Sequence, residues 1–271
     1  MYGALADFFS QPIEHKRTVV AAGSNGQAGY TGLLVETAAT SDVPDWKEML
    51  NWGRSVPEGH PLRRRFPQRY MDPVLPPGTE DLLLTFHDRV ADLSRRFLRI
   101  IALGIGCDET FFDRQVKDGT TLTRAIRYPA MGLAPSTQHV WAAEHGDINL
   151  ITALPRASAP GLQVRLHDGL WVDAVAPDGM AIINTGMMLE HITNGLISPG
   201  IHRVVAAPGQ SGERYSVVQF CHPTPWTILA PTASCITPDR PQRFAAMEAG
   251  DRLDQVLYEI NLVEDARRVT T

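Results

Sequence analysis

Residues 144–154 read EHGDINLITAL. His145 and Asp147 stand two apart at the head of a largely apolar, β-branched run that has the composition of a buried strand. On a strand, positions i and i+2 share one face, so both side chains project the same way. A carboxylate on an apolar strand is costly unless it is paired or holds a metal. The pair alone is a weak signal, because turns and caps explain most such spacings. It needs a third donor, and a fold that brings that donor back to the same place.

The flanking sequence supplies such a fold. In LQVRLHDGLWVDAV, Asp168-Gly169 separates two alternating runs, the signature of a hairpin. APDG at 176–179 is a second turn, before MAIINTG. Asn194-Gly195 and APGQSG at 207–212 bracket IHRVVA, and RYSVVQF follows. Short strands at this spacing favour a sandwich or barrel.

Upstream the period changes. In EDLLLTFHDRVADLSRRFLRIIALG, Phe86, Val90, Leu93, Phe97 and Ile101 recur every three or four residues, predicting a long amphipathic helix with these residues on its buried face. Gly104 and Gly106 stop it, and Asp108 caps a short helix through ETFFDRQV. At the other end, Pro241 is placed near the first position of a helix through DRLDQVLYEINL. The expected organisation is one α+β domain, mainly β. It has a helical layer over about 1–120, a β core over about 121–230 and helices over about 238–265.

Composition narrows the function. The 271 residues are 44% hydrophobic, enough for a sizeable core. A formal net charge of −5 and a pI near 6.0 give no broad cationic field, so neither nucleic acid nor a membrane surface is an expected partner. The Arg63-Arg64-Arg65 run is read as a solvated face. Cys107, Cys221 and Cys235 have no CxxC spacing, which fits a reducing cytoplasm. No run of about 18 uncharged apolar residues is present.

His202, opening IHRVVA beyond two hairpins, is the third donor a barrel would return to His145 and Asp147. Two imidazoles and one carboxylate, with the remaining positions open, suit non-haem iron(II) that takes a chelating co-substrate and then dioxygen. Twelve residues on, Arg214 and Ser216 again lie at i and i+2. A buried arginine there needs an anion, and its fork fits a carboxylate, with the serine hydroxyl as a further donor. Tyr128, before Pro129, is a candidate third donor.

At these residues the chain resembles the isopenicillin N synthase-like branch of the Fe(II)/2-oxoglutarate-dependent dioxygenases. HGD resembles that family's HxD, NTGMMLEHITNGLISPGIHRVV its segment around the distal histidine, and RYSVVQF its RxS strand. GLQVRLHDGLWVDAVAP is similar to its hairpin. The resemblance runs from FFSQPIEHK near the start to Phe220. It implies a double-stranded β-helix (jelly-roll) core with Fe(II) held by His145, Asp147 and His202 at one open end. Arg214 and Ser216, helped by Tyr128, would hold the distal carboxylate of 2-oxoglutarate. The implied reaction couples decarboxylation of 2-oxoglutarate to succinate with oxidation of a C–H bond in a small organic substrate. Two alternatives stay open here: an Fe(II) oxidase whose Arg-x-Ser pair binds the substrate carboxylate instead, and a catalytically silent jelly-roll binding module.

The chain departs from this pattern in places. It begins almost at the FFxLPxExK-like helix, so either Met1 is a wrongly assigned start, or the chain is a fragment, or the protein does without an outer part of the family sheet and is expected to expose an edge. Ile126-Arg127-Tyr128 stands where many relatives have Asn-Tyr-Tyr, and Arg127 is expected to point outward. Met187 stands where Asp is usual. Trp141, Asn149, Phe220, His222 and the C-terminal helices are candidates for the substrate wall. His191 is read as a histidine outside the metal set.

Overall fold

The computed structural model describes residues 1–24, 26–38 and 41–259. The helices are α1 (Tyr2–Phe9), α2 (Ile13–Arg17), α3 (Pro61–Arg65), α4 (Glu80–Gly104), α5 (Asp113–Val116), α6 (Met187–Ile192) and α7 (Ala249–Glu259). The strands are β1 (Gly29–Thr31), β2 (Glu48–Gly53), β3 (Leu122–Tyr128), β4 (Ala142–His145), β5 (Ile151–Pro155), β6 (Leu162–Arg165), β7 (Trp171–Asp173), β8 (Ala181–Thr185), β9 (His202–Val204) and β10 (Arg214–Cys221).

Two antiparallel sheets face each other. The larger has the order β1-β2-β3-β10-β5-β8 and the smaller β4-β9-β6-β7, the crossed connectivity of a jelly roll. Met49, Ile126, Tyr128, Trp141, Leu162, Val204 and Val218 fill the space between them. The other face of the large sheet carries Leu50, Trp52, Ala125 and Val217, which pack with Phe8, Phe9 and Leu83 of α1 and α4.

The expected helical layer over 1–120 is therefore incomplete. Both β1 and β2 lie inside it and extend the large sheet, β2 pairing with β3 through Asn51↔Arg124 and Met49↔Ile126. EMLNWG is buried on both faces, so it lacks the alternation that marks a half-exposed strand. At the sheet edge β1 is only three residues long, and a bridge from Val20 to Gly29 covers part of it.

The long helix is present as α4, but rotated from expectation. Its buried stripe is Leu83, His87, Val90, Ser94, Leu98 and Ala102, while Phe97 is exposed. Polar groups on the outer sheet face explain the shift: Gln219 Nε2 donates to the His87 carbonyl at 2.9 Å and to Thr123 Oγ1 at 3.0 Å, and His87 Nδ1 lies 2.8 Å from Thr123 Oγ1. A histidine is thus placed inward where hydrophobicity alone would turn it out.

Turn chemistry follows the sequence. The β6–β7 hairpin pairs Arg165 with Trp171, with Gly169 at φ +87°, and Gly179 at φ +75° precedes β8. Two boundaries need correcting. Asn194 and Gly195, both at positive φ, close helix α6 rather than a strand connection. Helix α7 starts at Ala249, eight residues after Pro241, because Met247–Glu248 first forms a short ladder with Ile228–Leu229. The expected helical stretch from 260 to 265 lies outside the described residues.

Candidate metal centre and co-substrate site

His145 is the last residue of β4, and Asp147 lies just beyond it, in the passage that carries the chain from the small sheet to β5 in the large one. EHGDINLITAL is therefore not one strand headed by two polar residues, but a sheet-to-sheet crossing followed by a strand. The irregular register between Ala142 and His145 marks the bend. His202 opens β9 directly across from His145, which brings the two rings to 4.4 Å between centroids.

One nitrogen or oxygen from each of His145, Asp147 and His202 lies within 4.8 Å of the others. His202 Nε2 is 3.9 Å from Asp147 Oδ1. Each remaining atom has a task. His145 Nδ1 lies 2.7 Å from the Ala143 carbonyl and His202 Nδ1 3.0 Å from that of Gly200, so both rings donate Nδ1–H and leave Nε2 as the ligand atom. Asp147 Oδ2 accepts from Thr152 Oγ1 at 2.7 Å and Asn184 Nδ2 at 2.8 Å. Oδ1 is left to face the imidazoles. Gly200 is needed at its place, since a Cβ there would collide with the Asn184 amide.

The electrostatics agree. Burial, with the neighbouring His202, pushes the His145 pKa down to about 4, which keeps the ring a neutral donor. Burial would raise the Asp147 pKa, but the two imidazoles and the bonds from Thr152 and Asn184 hold it below the ordinary value. Two neutral imidazoles and one carboxylate, with donors fixed from behind, fit a divalent first-row metal with positions left open.

A second feature lies along the inner face of the large sheet. Arg214 pairs across the ladder with Tyr128, and Ser216 with Ile126, so Arg214, Ser216 and Tyr128 all face inward. Arg214 is 3% exposed, and its Nε donates to the Ala159 carbonyl at 3.1 Å. Its Nη1 is buried with no partner, and no carboxylate pairs with it among the described residues. Arg214 and Ser216 line a cavity of about 120 Å³ together with Leu154, Leu162 and Ile182. An uncompensated guanidinium there calls for an anion. The Tyr128 ring lies under the Arg214 guanidinium, 5.1 Å from centroid to Cζ, so its observed contact is through the ring.

The remaining sequence candidates separate cleanly. Phe220 and His222 line a cavity of about 130 Å³ shared with His145, Gly146 and Asp147, and α7 contributes Leu253, Val256 and Leu257. Asn149 is fully buried and bonded to the Ile151 carbonyl and Thr152 Oγ1, so it supports the crossing rather than lining that cavity. Trp141 packs on Tyr128 and donates to the Pro129 carbonyl. His191 bonds to the Ala245 carbonyl and stacks on Phe244. Arg127 does not point freely outward: it bridges Glu48 and Glu213, both at 2.7 Å. Met187 donates its N–H to the Asp147 carbonyl at 2.8 Å, a backbone role open to any residue but proline, and its Sδ accepts from Arg252 Nη2 at 3.6 Å.

Hydrophobic patterning missed two sets of residues. Thr152 is the one polar residue of β5, and Asn184 with Thr185 ends the otherwise apolar β8; that placement was the available signal. Glu36, Asp45, Lys47 and Arg124 line the cavity at the metal site. The outermost of them, Glu36 and Arg124, are 88 residues apart in sequence, and only the fold collects the set.

A jelly roll that gathers two imidazoles and a carboxylate able to hold a metal, with an unpartnered arginine on the same inner surface, has the arrangement of a non-haem metal oxygenase. Comparison with known proteins identifies which. Residues 120–223 match the 2OG-Fe(II) oxygenase superfamily, and residues 1–73 match the N-terminal region of non-haem dioxygenases named for morphine synthesis. A solved structure described as a 2OG-Fe(II) oxygenase family protein from Caulobacter crescentus is 32% identical. It superimposes with a TM-score of 0.82 over 94% of this chain and 83% of its own. A full-length Neurospora crassa protein, solved in complex with α-ketoglutarate, is 27% identical with a TM-score of 0.79, over 95% of this chain and 80% of its own. Among curated relatives, azadirone synthase of Melia azedarach is 28% identical over 90% of this chain and 75% of its own length. Isopenicillin N synthase of Amycolatopsis lactamdurans is 30% identical over 72% of this chain and 60% of its own length. The chain belongs to the 2OG-Fe(II) oxygenase superfamily, oxidoreductases built around Fe(II) and, as in the Neurospora crassa protein, 2-oxoglutarate. Among the described residues no helix is long and apolar enough to cross a membrane.

Proposed function

We propose that His145, Asp147 and His202 hold Fe(II), that Arg214 and Ser216 bind the distal carboxylate of 2-oxoglutarate, and that Tyr128 shapes that site. A small organic substrate occupies the cavity beside the triad and is oxidised at a C–H bond. The three free thiols, two of them buried, support a reducing, cytoplasmic setting. The observation that carries the assignment is the buried, unpartnered Nη1 of Arg214 in a cavity on the same inner surface as the triad.

With Fe(II) and 2-oxoglutarate bound, dioxygen would be the oxidant: one of its oxygen atoms would end in succinate, with CO₂ released, and the other would serve oxidation of the substrate C–H bond. The chain supplies position. The Ala143 and Gly200 carbonyls fix both imidazoles, Thr152 and Asn184 fix the carboxylate, and Arg214 sets the depth of the keto acid through its charged fork. Leu154, Leu162 and Ile182 give the co-substrate cavity apolar walls, while Phe220 and α7 enclose the reacting side and limit stray oxidation.

The test is an anaerobic titration of the Fe(II) protein with 2-oxoglutarate, read by the visible charge-transfer band of a keto acid chelated to iron. The band is expected to rise and saturate, and succinate to form stoichiometrically with product under air. Tight iron binding with no band and no succinate would remove 2-oxoglutarate from the assignment.

A further inference from the structure

The cavity beside the metal triad is charged on one wall and apolar on the other. Glu36, Asp45, Lys47 and Arg124 form the first; Leu122, Leu253, Val256 and Leu257 line the second. The four charges cancel. Lys47 Nζ bridges Glu36 at 2.9 Å and Asp45 at 2.8 Å, and Arg124 Nη1 lies 3.1 Å from Glu36 Oε1. Asp45 also accepts the Ala143 N–H at 2.9 Å, which ties this wall to the strand carrying His145. Burial would raise the Glu36 pKa, yet the two cations hold it at about 2, so the network stays ionised.

Two polar groups on this wall have no partner. Arg124 Nε donates to Asn51 Oδ1 at 2.7 Å and Nη1 to Glu36, but Nη2 makes no hydrogen bond among the described residues. His222 is 4% exposed and its Nδ1 is buried and unpartnered. Both residues lie on the inner face: Arg124 is opposite Val218, and His222 continues the alternation Arg214, Ser216, Val218, Phe220. The Arg124 guanidinium lies over the Phe220 ring, 5.3 Å from its centroid, so the side chain reaches along the strand toward His222.

This pair contrasts with Arg214. There a guanidinium has no counter-charge and calls for an anion; here the guanidinium already has Glu36. A carboxylate entering beside Arg124 would compete with Glu36 and sit among Asp45 and Asp147. An uncharged acceptor meets the open Arg124 N–H without that repulsion, and the neutral His222 ring beside it can complete the contact as donor or acceptor.

We propose that Arg124 and His222 orient the substrate, and that the substrate is an uncharged carbonyl compound whose oxygen takes the open Arg124 N–H beside the His222 ring while its apolar body lies against Leu122 and α7. The inference rests on the oxygenase assignment above, because it takes this cavity as the substrate side of the metal.

The experiment measures binding of two probes of similar size, 2-pyridone and benzoate, to the whole protein loaded with redox-inert Zn(II) and 2-oxoglutarate, by saturation-transfer NMR and calorimetry. A parallel Fe(II) sample checks the 2-oxoglutarate band. Binding of 2-pyridone in preference to benzoate is expected, weakened about tenfold in Arg124→Lys, which keeps the charge on Glu36 but loses the fork, and similarly in His222→Leu. Both variants should retain the 2-oxoglutarate band. Should Arg124→Lys fail to fold, His222→Leu decides alone. Preferential benzoate binding, variants that bind 2-pyridone like the wild type, or no binding of either probe to protein that shows the band would each overturn the proposal and leave the oxygenase assignment standing. Absence of the band itself overturns both.

Discussion

Asn184 Nδ2 donates to Asp147 Oδ2 at 2.8 Å, and that bond leaves Oδ1 to face His202 Nε2, 3.9 Å away. The asparagine lies on β8 at the edge of the large sheet and also donates to the Gly200 carbonyl at 3.2 Å, the same oxygen that orients His202. One amide therefore aligns two of the three proposed ligands. Asn184→Leu should weaken metal affinity about 10- to 100-fold, in line with loss of other groups that orient metal ligands. Co(II) or Fe(II) titration reads the change, and an affinity equal to wild type in folded variant would show that the ligands hold themselves in place.

Asp147→Ala removes one of the three proposed ligands. Turnover should vanish, and so should the visible band with 2-oxoglutarate; chelation of the wild-type protein should reproduce the loss, and added Fe(II) should restore it. Full activity in the variant would refute the triad.

Arg214→Leu tests the anion site separately. The guanidinium is buried without a protein counter-charge, so removing it does not strand a carboxylate, and fold stability should be little reduced. Affinity for 2-oxoglutarate should fall by about 2–5 kcal/mol while iron affinity is retained. A titration midpoint that does not move would place the co-substrate elsewhere.

Much of this site was legible because each signal was local or periodic. His145 and Asp147 are two apart, Arg214 and Ser216 are two apart, and glycine-bearing turns delimit the strands that carry them. What escaped was decided by long-range pairing. β2 was hidden because a strand buried on both faces does not alternate. HxD was misplaced by a few residues because a sheet-to-sheet crossing has no periodicity to read. The charged wall was hidden because Glu36, Asp45 and Lys47 lie in the chain ahead of β2, and Arg124 of β3 reaches them only once β2 has paired with β3.

The rotation of α4 belongs to the same class and makes a direct test. Hydrophobicity places Phe97 inward, but Leu98 is fully buried and Phe97 is 36% exposed. Leu98→Ala should cost about 2–5 kcal/mol and Phe97→Ala less than about 1 kcal/mol, measured by denaturant unfolding. The reverse order would restore the simple amphipathic face.

His87 is the reason for that rotation and sets a pH dependence. Burial pushes its pKa from 6.5 down to about 4. The unfolded chain takes up this proton near pH 6.5 and the folded protein only near pH 4, so between those values the unfolded state binds more protons and stability rises with pH. The contribution, about 3 kcal/mol, is present above pH 6.5 and lost as the pH falls to 4. His145 and His222 are depressed by burial too and add to the total, so the difference between wild type and His87→Gln isolates the effect. Denaturant unfolding at fixed metal content across pH 4–7 should give a shallower slope for the variant. Parallel slopes would mean that His87 takes up its proton in the folded protein as readily as in the unfolded chain, its Nδ1–H donating to Thr123 Oγ1.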